Sequence, residues 1–593
     1  MVQSRPFGCL LLVLAALSVG RAEDGEAARP TEVTVRRADG TTFSEALFPG
    51  EWVRCIAQDW SLGVPYQGGT DLRFEREGPW VFVRVDGGAR RLAGVLANDP
   101  EGKAALRQAV ADRISPLTIW CVGKEFEPLP AVPADLNVAL CVACGRLAGL
   151  KELIARCPGL YALSIASRLD SPPPQALAGL TGLNSLRIDL DLVDAPWEEG
   201  TVLRDLTPFA QMRQLRVLCL TGRVSPKDLR ALSGQTQLTC LDLGCAYEEG
   251  ERPLDLSPLR RLTNLRRLRM EVTSFGGGQP DDLSPLAGMT QLIELSVRAS
   301  EKLRDIAPLG GMTELTRLRL YLKHDSSLSD LSPLAAMTKL TDLRMFALGK
   351  LRDVSPLSKL TRLRKLELYD FGELSDLRPL AALTLLRSLQ IEWLPKLSDL
   401  SPLGALKSLE TLSIERCPAL TDLGPLAKLG NLTQLSLRNC RQLTDLAPVG
   451  DLANLRHLHV DALPNLADLA PLARLTDLQV LHVTGCERVT DIRPIAEMRG
   501  LTSLGLSGCG NLTDLGPLRG LRRLRYLSLR GCAALDDLTP LASLPELRSI
   551  SVSGCPKVID LSPLRHMLKR GGGVEAEGRF TEQIQRLRTE TDF

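Results

Sequence analysis

The chain has 593 residues, more than one ordinary globular domain holds, so its length calls for several domains or an array of repeats. Hydrophobic residues make up 44% of it but aromatic ones only 4%, so the core must be mostly aliphatic, as in a stack of thin equivalent layers. With 72 basic and 70 acidic side chains the formal net charge is +2, which excludes a global field that would recruit nucleic acid or a membrane surface. Any charged partner has to be recognised locally.

Residues 1–22 read as a secretory signal. Arg5 gives a positive start, Cys9 to Val19 form a short apolar run, and Gly20-Arg21-Ala22 puts small residues where a signal peptidase reads them. The run is too short to span a membrane comfortably, and no later stretch is apolar enough to cross one. Arg5-Pro6-Phe7-Gly8, ahead of Cys9, is not a lipidation box. The expectation is a product that starts near Glu23 and is secreted or held outside the cytoplasm, in periplasm or envelope.

Residues 23–98 do not repeat. Alternating runs such as Glu32-Val33-Thr34-Val35 and Trp80-Val81-Phe82-Val83-Arg84-Val85, separated by glycine-rich turns, predict a small β-rich unit. Residues 99–113 predict a helix, with Asp99 capping and Pro100 in its first turn, placed to cover the open end of the layers that begin at residue 114.

From residue 114 to residue 570 one phrase recurs. The stretch Leu432 to Asn454 reads LTQLSLRNCRQLTDLAPVGDLAN, and its aspartate recurs at every 23rd position from Asp353 to Asp560. Such regularity is the signature of a repeat array. Counting the second leucine of L-x-x-L-x-L gives rungs at 140, 163, 186, 218, 241, 268, 295, 318 and 343, then every 23 residues to Ile550. Ile114 to Ile119 fits as a nineteenth rung, with Leu117 lying 23 residues before Leu140. In L-x-L the period is 2, so Leu435 and Leu437 face inward while Gln434, Ser436 and Arg438 face out. A strand this short is stable only when copies stack in parallel, and parallel neighbours need a return path. The D-L-x-P-L-x-x-L half supplies it, with Asp or Ser before Pro marking a capped helical or 3₁₀ turn. Residues 571–593 break the pattern with Gly571-Gly572-Gly573 and end in a charged helical tail.

The phrase resembles the bacterial leucine-rich repeats of the internalin type, whose repeats carry a similar D-I-x-P-L-x-x-L-T segment. Arg438-Asn439-Cys440 followed by Leu443-Thr444-Asp445 also resembles cysteine-containing leucine-rich repeats. The resemblance implies an α/β solenoid, a leucine-rich-repeat horseshoe with a parallel concave sheet and short helical or 3₁₀ convex turns. It also implies binding of a protein or glycan on that concave face. The chain departs from internalins in its 23-residue step and in using Cys where they commonly have Asn.

Candidate binding residues come from the outward strand positions. The early rungs present Arg267, Arg269, Arg298, Arg317, Arg319, Tyr321, Arg344, Phe346 and Tyr369, and Arg and aromatic side chains supply the energy of most protein interfaces. Glu271, Glu294, Asp342 and Glu367 interleave with them, so self-paired surface charge is an equal reading. The rung step widens here to 32, 27, 27 and 25 residues, and the extra residues, as in 191–200, 247–250 and 275–278, should rim one edge of the sheet. By contrast Ser503, Gly505, Ser507, Ser549, Ser551 and Ser553 make the last rungs bland.

His457, His459 and His482, with Asp461, form the sharpest alternative, a metal-binding patch on two outward strands. A solvated polar face is the simpler account of it. The chain has 15 cysteines, and Cys417, Cys440, Cys486, Cys509, Cys532 and Cys555 share a column that elsewhere holds Leu348, Phe371, Leu394 and Leu463. A site that exchanges Cys with Leu and Phe is apolar and buried, which favours packing over disulfide or metal ladders. Cys141-Val142-Ala143-Cys144 is a lone C-x-x-C on a predicted strand, and Cys219 and Cys240 are both expected outward on neighbouring rungs. The aspartate column reads as turn capping rather than calcium ligation. With no nucleophile elbow, phosphate loop or metalloprotease helix, the expectation is a monomeric binding protein without enzymatic activity or cofactor. An intracellular adaptor of the substrate-receptor type is a third reading, opposed by residues 1–22.

Overall fold

The computed structural model describes residues 326–589 throughout and residues 129–322 apart from 145–149, 168–176, 178, 190–202, 204, 225–227, 246–252 and 271–278. Before residue 129 it describes the segments 31–36, 42–47, 72–77, 80–85, 91–96, 100–111, 113 and 117–123. The signal segment and the widened parts of the early rungs lie outside the described residues. The chain divides into two units, residues 1–298 and 299–593.

In the first unit two strands, Thr31–Arg36 and Thr42–Leu47, pair antiparallel. Three more, Leu72–Glu77, Trp80–Val85 and Arg91–Leu96, form an antiparallel meander. Its last strand pairs in parallel with Leu117–Gly123, so the β-rich segment is continuous with the first rung. The helix Pro100–Ala111 lies between them, with Leu106 and Ala109 buried. From Leu117–Gly123 on, each strand of this unit pairs in parallel with the next, through Val138–Cys144, Leu160–Ser167, Ser185–Asp189, Val217–Val224, Cys240–Cys245 and Arg267–Met270 to Glu294–Arg298. The register pairs Leu140 with Ile119, not Leu117, so the first step is two residues shorter than the repeat predicts. The C-x-x-C lies on the strand Val138–Cys144, as its alternation indicated.

In the second unit the rungs are more regular. Leu343, Leu366, Leu389, Leu412, Leu435, Leu458, Leu481, Leu504, Leu527 and Ile550 stand opposite one another from strand to strand. Along Gln434–Arg438 exposure alternates as expected, with Leu435 and Leu437 buried between more exposed polar neighbours. The return half of each repeat is a 3₁₀ turn such as Ser355–Lys359 or Gly424–Lys428, with proline in its first positions and a buried leucine at its centre. One turn, Ala447–Gly450, closes as α-helix. A 3₁₀ turn fits because two or three residues of rise suffice to reach the next strand, and its tighter winding holds the leucines over the strand's own.

The aspartate column caps these turns. Oδ1 of Asp255, Asp282, Asp353, Asp422 and Asp537 accepts the backbone N–H two residues on, at 2.7 to 2.9 Å. The strand leaves each rung through a corner with positive φ, occupied by Ala347, Asp370, Trp393, Arg416, Asn439 and Ala462 and then by Gly485, Gly508, Gly531 and Gly554. The strand before Gly485 still has five residues, and the strands before the next three glycine corners have three, at Ser503–Gly505, Tyr526–Ser528 and Ser549–Ser551.

The tail adds what the repeat did not foretell. Gly573–Glu575 pairs in parallel with Ser549–Ser551 as one further strand. The helices Arg565–Lys569 and Thr581–Thr589, with the short turn before the latter, then bury Met567, Leu568, Phe580 and Leu587. Sequence periodicity missed this strand because Gly-Val-Glu offers a single apolar residue. The tail is a cap, as the terminal layer of a stack requires.

Candidate functional site

The nine early-rung residues fall in both units, and each part stands by itself. In the first unit Arg267 and Arg269 occupy outward positions of Arg267–Met270, yet every residue of that strand is buried. Glu294, directly opposite Arg267 on the next strand, is 1% exposed and takes both guanidinium groups: Arg267 Nε lies 2.9 Å and Arg269 Nε 2.7 Å from its carboxylate. A carboxylate this buried would be costly without such partners. The two arginines are therefore internal counter-ions, a correction to their reading as open contacts. Arg298 is half-buried.

In the second unit Arg317 is buried and Arg319 half-buried. Beside them the aromatic column forms a ladder. Tyr321 and Phe346 stack with ring centroids 4.5 Å apart, and Phe346 and Tyr369 at 4.2 Å with planes 5° apart. The strand spacing of about 4.8 Å brings in-register rings within stacking distance of one another. Phe346 thus has both faces covered. The column also carries a charge network: Arg344 Nε lies 3.3 Å from Asp342 and 3.6 Å from Glu367, and Lys365 Nζ lies 2.8 Å from Glu367. Burial, with Glu367 beside it, pushes the Tyr369 hydroxyl well above its ordinary pKa, so it remains a donor. It donates to Glu367 Oε2 at 3.4 Å. At the corner beyond, Trp393 is 48% exposed, with the Arg416 guanidinium 5.7 Å above its ring.

His459 and His482 do meet on adjacent strands, edge to face, with ring centroids 4.6 Å apart. Gly505, opposite His482, leaves room for that ring, since a Cβ there would stand 3.0 Å from it. Burial lowers all three histidine pKa values, that of His459 to about 4, where His482 and Arg438 add to the effect. The imidazoles are neutral at pH 7. His482 Nε2 is engaged with Ser503 Oγ on the following strand at 3.3 Å, and Asp461 accepts a hydrogen bond from Thr484. Among the described residues no three His, Cys, Asp or Glu side chains are grouped to hold a metal ion.

The cysteine column is buried and its thiols are free. Cys509, Cys532 and Cys555 donate to the carbonyls of Val483, Leu506 and Leu529 at 3.4, 3.2 and 3.0 Å. Where the strands are short the thiol supplies a donor that Leu cannot. Burial pushes the thiols of Cys509 and Cys532 up to about 12, so they are unreactive. Cys240 is buried and stands opposite Val217, while Cys219 stands opposite Asp242. Both occupy strand positions beside the inward Leu218 and Leu241, they are out of register with each other, and neither is in a disulfide. An open groove of about 550 Å³ includes Arg387, Glu410, Asn431 and Asn454 in its lining. Its polar groups engage each other or the backbone, as in Arg387 with Glu410 at 3.0 Å and Asn431 with the Lys407 carbonyl at 2.8 Å.

Parallel strands at a 23-residue offset, 3₁₀ returns and a leucine core define a leucine-rich-repeat protein. The chain matches no protein-family model and no curated protein. Its structure is similar to an internalin (InlF) from Listeria monocytogenes, 26% identical with a TM-score of 0.37, over 64% of this chain and 88% of that one. It is also similar to the functional domain of InlJ from the same organism, a domain that includes a cysteine ladder, at 18% identity and a TM-score of 0.37, over 64% of this chain and 70% of that one. A third similar structure is a leucine-rich-repeat protein of Leptospira interrogans, 15% identical with a TM-score of 0.37, over 82% and 98% of the two chains. No described helix is long and apolar enough to cross a membrane.

Proposed function

We propose that this is an exported recognition module that binds a protein partner through the strand face of rungs 317–369 and catalyses no reaction. The observation that carries the reading is the ladder Tyr321–Phe346–Tyr369, bordered by Arg344, Lys365 and Glu367. It presents a rigid aromatic edge beside charges already held in place, so little side-chain entropy is lost on binding. With both faces of Phe346 covered, the middle of the ladder favours a protein over a glycan, because a sugar stacks on an open face. Arg267, Arg269 and Arg317 are buried within their strands and Arg298 lies in the first unit, while Arg319 and Arg344 stay within a partner's reach. The segment 1–22, read as a signal, supports export.

The test is capture from extracellular and envelope extracts by wild type and by a Phe346→Thr/Tyr369→Glu variant. The same column holds Thr484 and Glu392 in other rungs, so the fold accepts both residues. A defined partner kept by wild type and lost by the variant is the expected result. Equal retention by both refutes this face. Export is checked by N-terminal sequencing of the product from fractionated cells, which is expected to begin near Glu23.

A further inference from the structure

The last rungs, bland in sequence, carry a second surface that is independent of the aromatic ladder. Tyr526 opens the strand Tyr526–Ser528 and is 53% exposed. Its in-register neighbours are Ser503 on one side and Ser549 on the other. Unlike Phe346, its ring therefore has no large in-register neighbour over either face. Around it the strand face is small and hydroxylic: Ser507 and Ser528 share a hydrogen bond at 2.7 Å, and Ser551 stands next to Ser528 in register.

The edge beside this ring is basic. Between the return turn Gly516–Gly520 and Tyr526 the chain has no acidic residue but has Arg522, Arg523 and Arg525. Arg548 continues the edge on the next rung, where its N–H bonds the Arg525 carbonyl. Earlier rungs neutralise the same columns with carboxylates, as in Arg387 with Glu410 at 3.0 Å and Arg456 with Asp477 at 3.4 Å. Here Arg525 is matched in that way, by Glu546 at 3.0 Å. Arg522, Arg523 and Arg548 are exposed and meet no carboxylate among the described residues.

We infer that this surface binds an acidic polysaccharide. An open aromatic face takes the apolar face of a sugar ring, and serine hydroxyls match sugar hydroxyls. Guanidinium forks bind sulfate or carboxylate in bidentate fashion, and their spread over successive rungs suits a polymer rather than one small anion. A single ring is too few for single-stranded nucleic acid, whose binders stack successive bases on several aromatics. The only other exposed large apolar side chains among the described residues are Leu385, Trp393 and Ile559, which do not surround Tyr526 with a membrane-seeking cluster.

The experiment measures binding of the full chain to a heparin oligosaccharide, with uncharged dextran and a single-stranded oligonucleotide of equal charge as comparisons. Two variants use residues that the same columns hold elsewhere: Tyr526→Ser, as at Ser503, and Arg522→Thr/Arg523→Asn/Arg548→Thr, as at Thr476, Asn454 and Thr502. Heparin is expected to bind in about 0.15 M salt, dextran not to bind, and the arginine variant to lose about tenfold or more. Tyr526→Ser is expected to lose about fivefold at unchanged salt dependence, by analogy with aromatic stacking on other ligands. No heparin binding, or binding indifferent to Tyr526, overturns the inference. Tighter, Tyr526-dependent binding of the oligonucleotide overturns it in favour of nucleic acid. The Phe346→Thr/Tyr369→Glu variant is expected to bind heparin like wild type, which separates this site from the protein-binding face.

Discussion

Ala462 holds φ +52° at the corner where the next four rungs have glycine. A left-handed conformation costs an L-residue about 1 kcal/mol, so Ala462→Gly is expected to stabilise the second unit by about that amount. Its denaturation midpoint should rise with no change in slope. His459 gives the pH dependence. Its pKa is about 4 in the fold against 6.5 free, so between these values the unfolded chain binds a proton that the native chain refuses. Stability is therefore flat above pH 6.5 and falls as pH drops from 6.5 toward 4. A thermal unfolding series across that window, in which His459→Gln loses less than wild type, would bear this out; parallel losses would reject it. Sequence alone put His459 and His482 side by side, because a fixed repeat step fixes the register. It could not show that His482 turns its Nε2 to Ser503, since a side-chain rotamer depends on the room Gly505 leaves.

At the level of the element, one rung is a strand, a corner and a 3₁₀ return sharing a row of leucines. Leu435 is 1% exposed, packed between its copies on either side. Leu435→Ala is expected to cost about 3 kcal/mol, read by chemical denaturation, with the loss shared by the flanking rungs because each contacts only its neighbours. The inward leucines, the capping aspartates and the buried cysteines were all legible, since each follows from period and column. What escaped was burial of the outward side. Arg267 and Arg269 alternate as solvent-facing residues do, and only the carboxylate of Glu294 from the next strand shows them to be enclosed. The strand Gly573–Glu575 escaped for the opposite reason, having too few apolar residues to show a period.

For the molecule as a whole, the repeat makes function a matter of columns rather than of a pocket. A residue type repeated on adjacent rungs becomes a ladder, and its properties depend on its neighbours as much as on itself. Tyrosine beside phenylalanine gives the closed edge of Tyr321–Phe346–Tyr369, whereas tyrosine between serines gives the open ring of Tyr526. Composition scored the later rungs as featureless because it counted residues and not gaps between them. The net charge of +2 hid the basic edge in the same way, since its arginines are balanced only in the total.

The constant offset in the second unit also bears on how such a chain can change its length. From Leu343 to Ile550 each residue finds its partner 23 positions on, so excision of one complete step leaves every inward leucine, capping aspartate and corner in line. Loss of a single residue would instead turn a whole strand over, leucines outward. Growth and shrinkage by whole units are therefore nearly neutral for folding, yet each such event brings together columns that had been a rung apart. Removing residues 503–525 would set Tyr526 beside Val480 and end its isolation between serines. Copy number in this array is thus a heritable means of altering which side chains the surface sets side by side while the core stays the same.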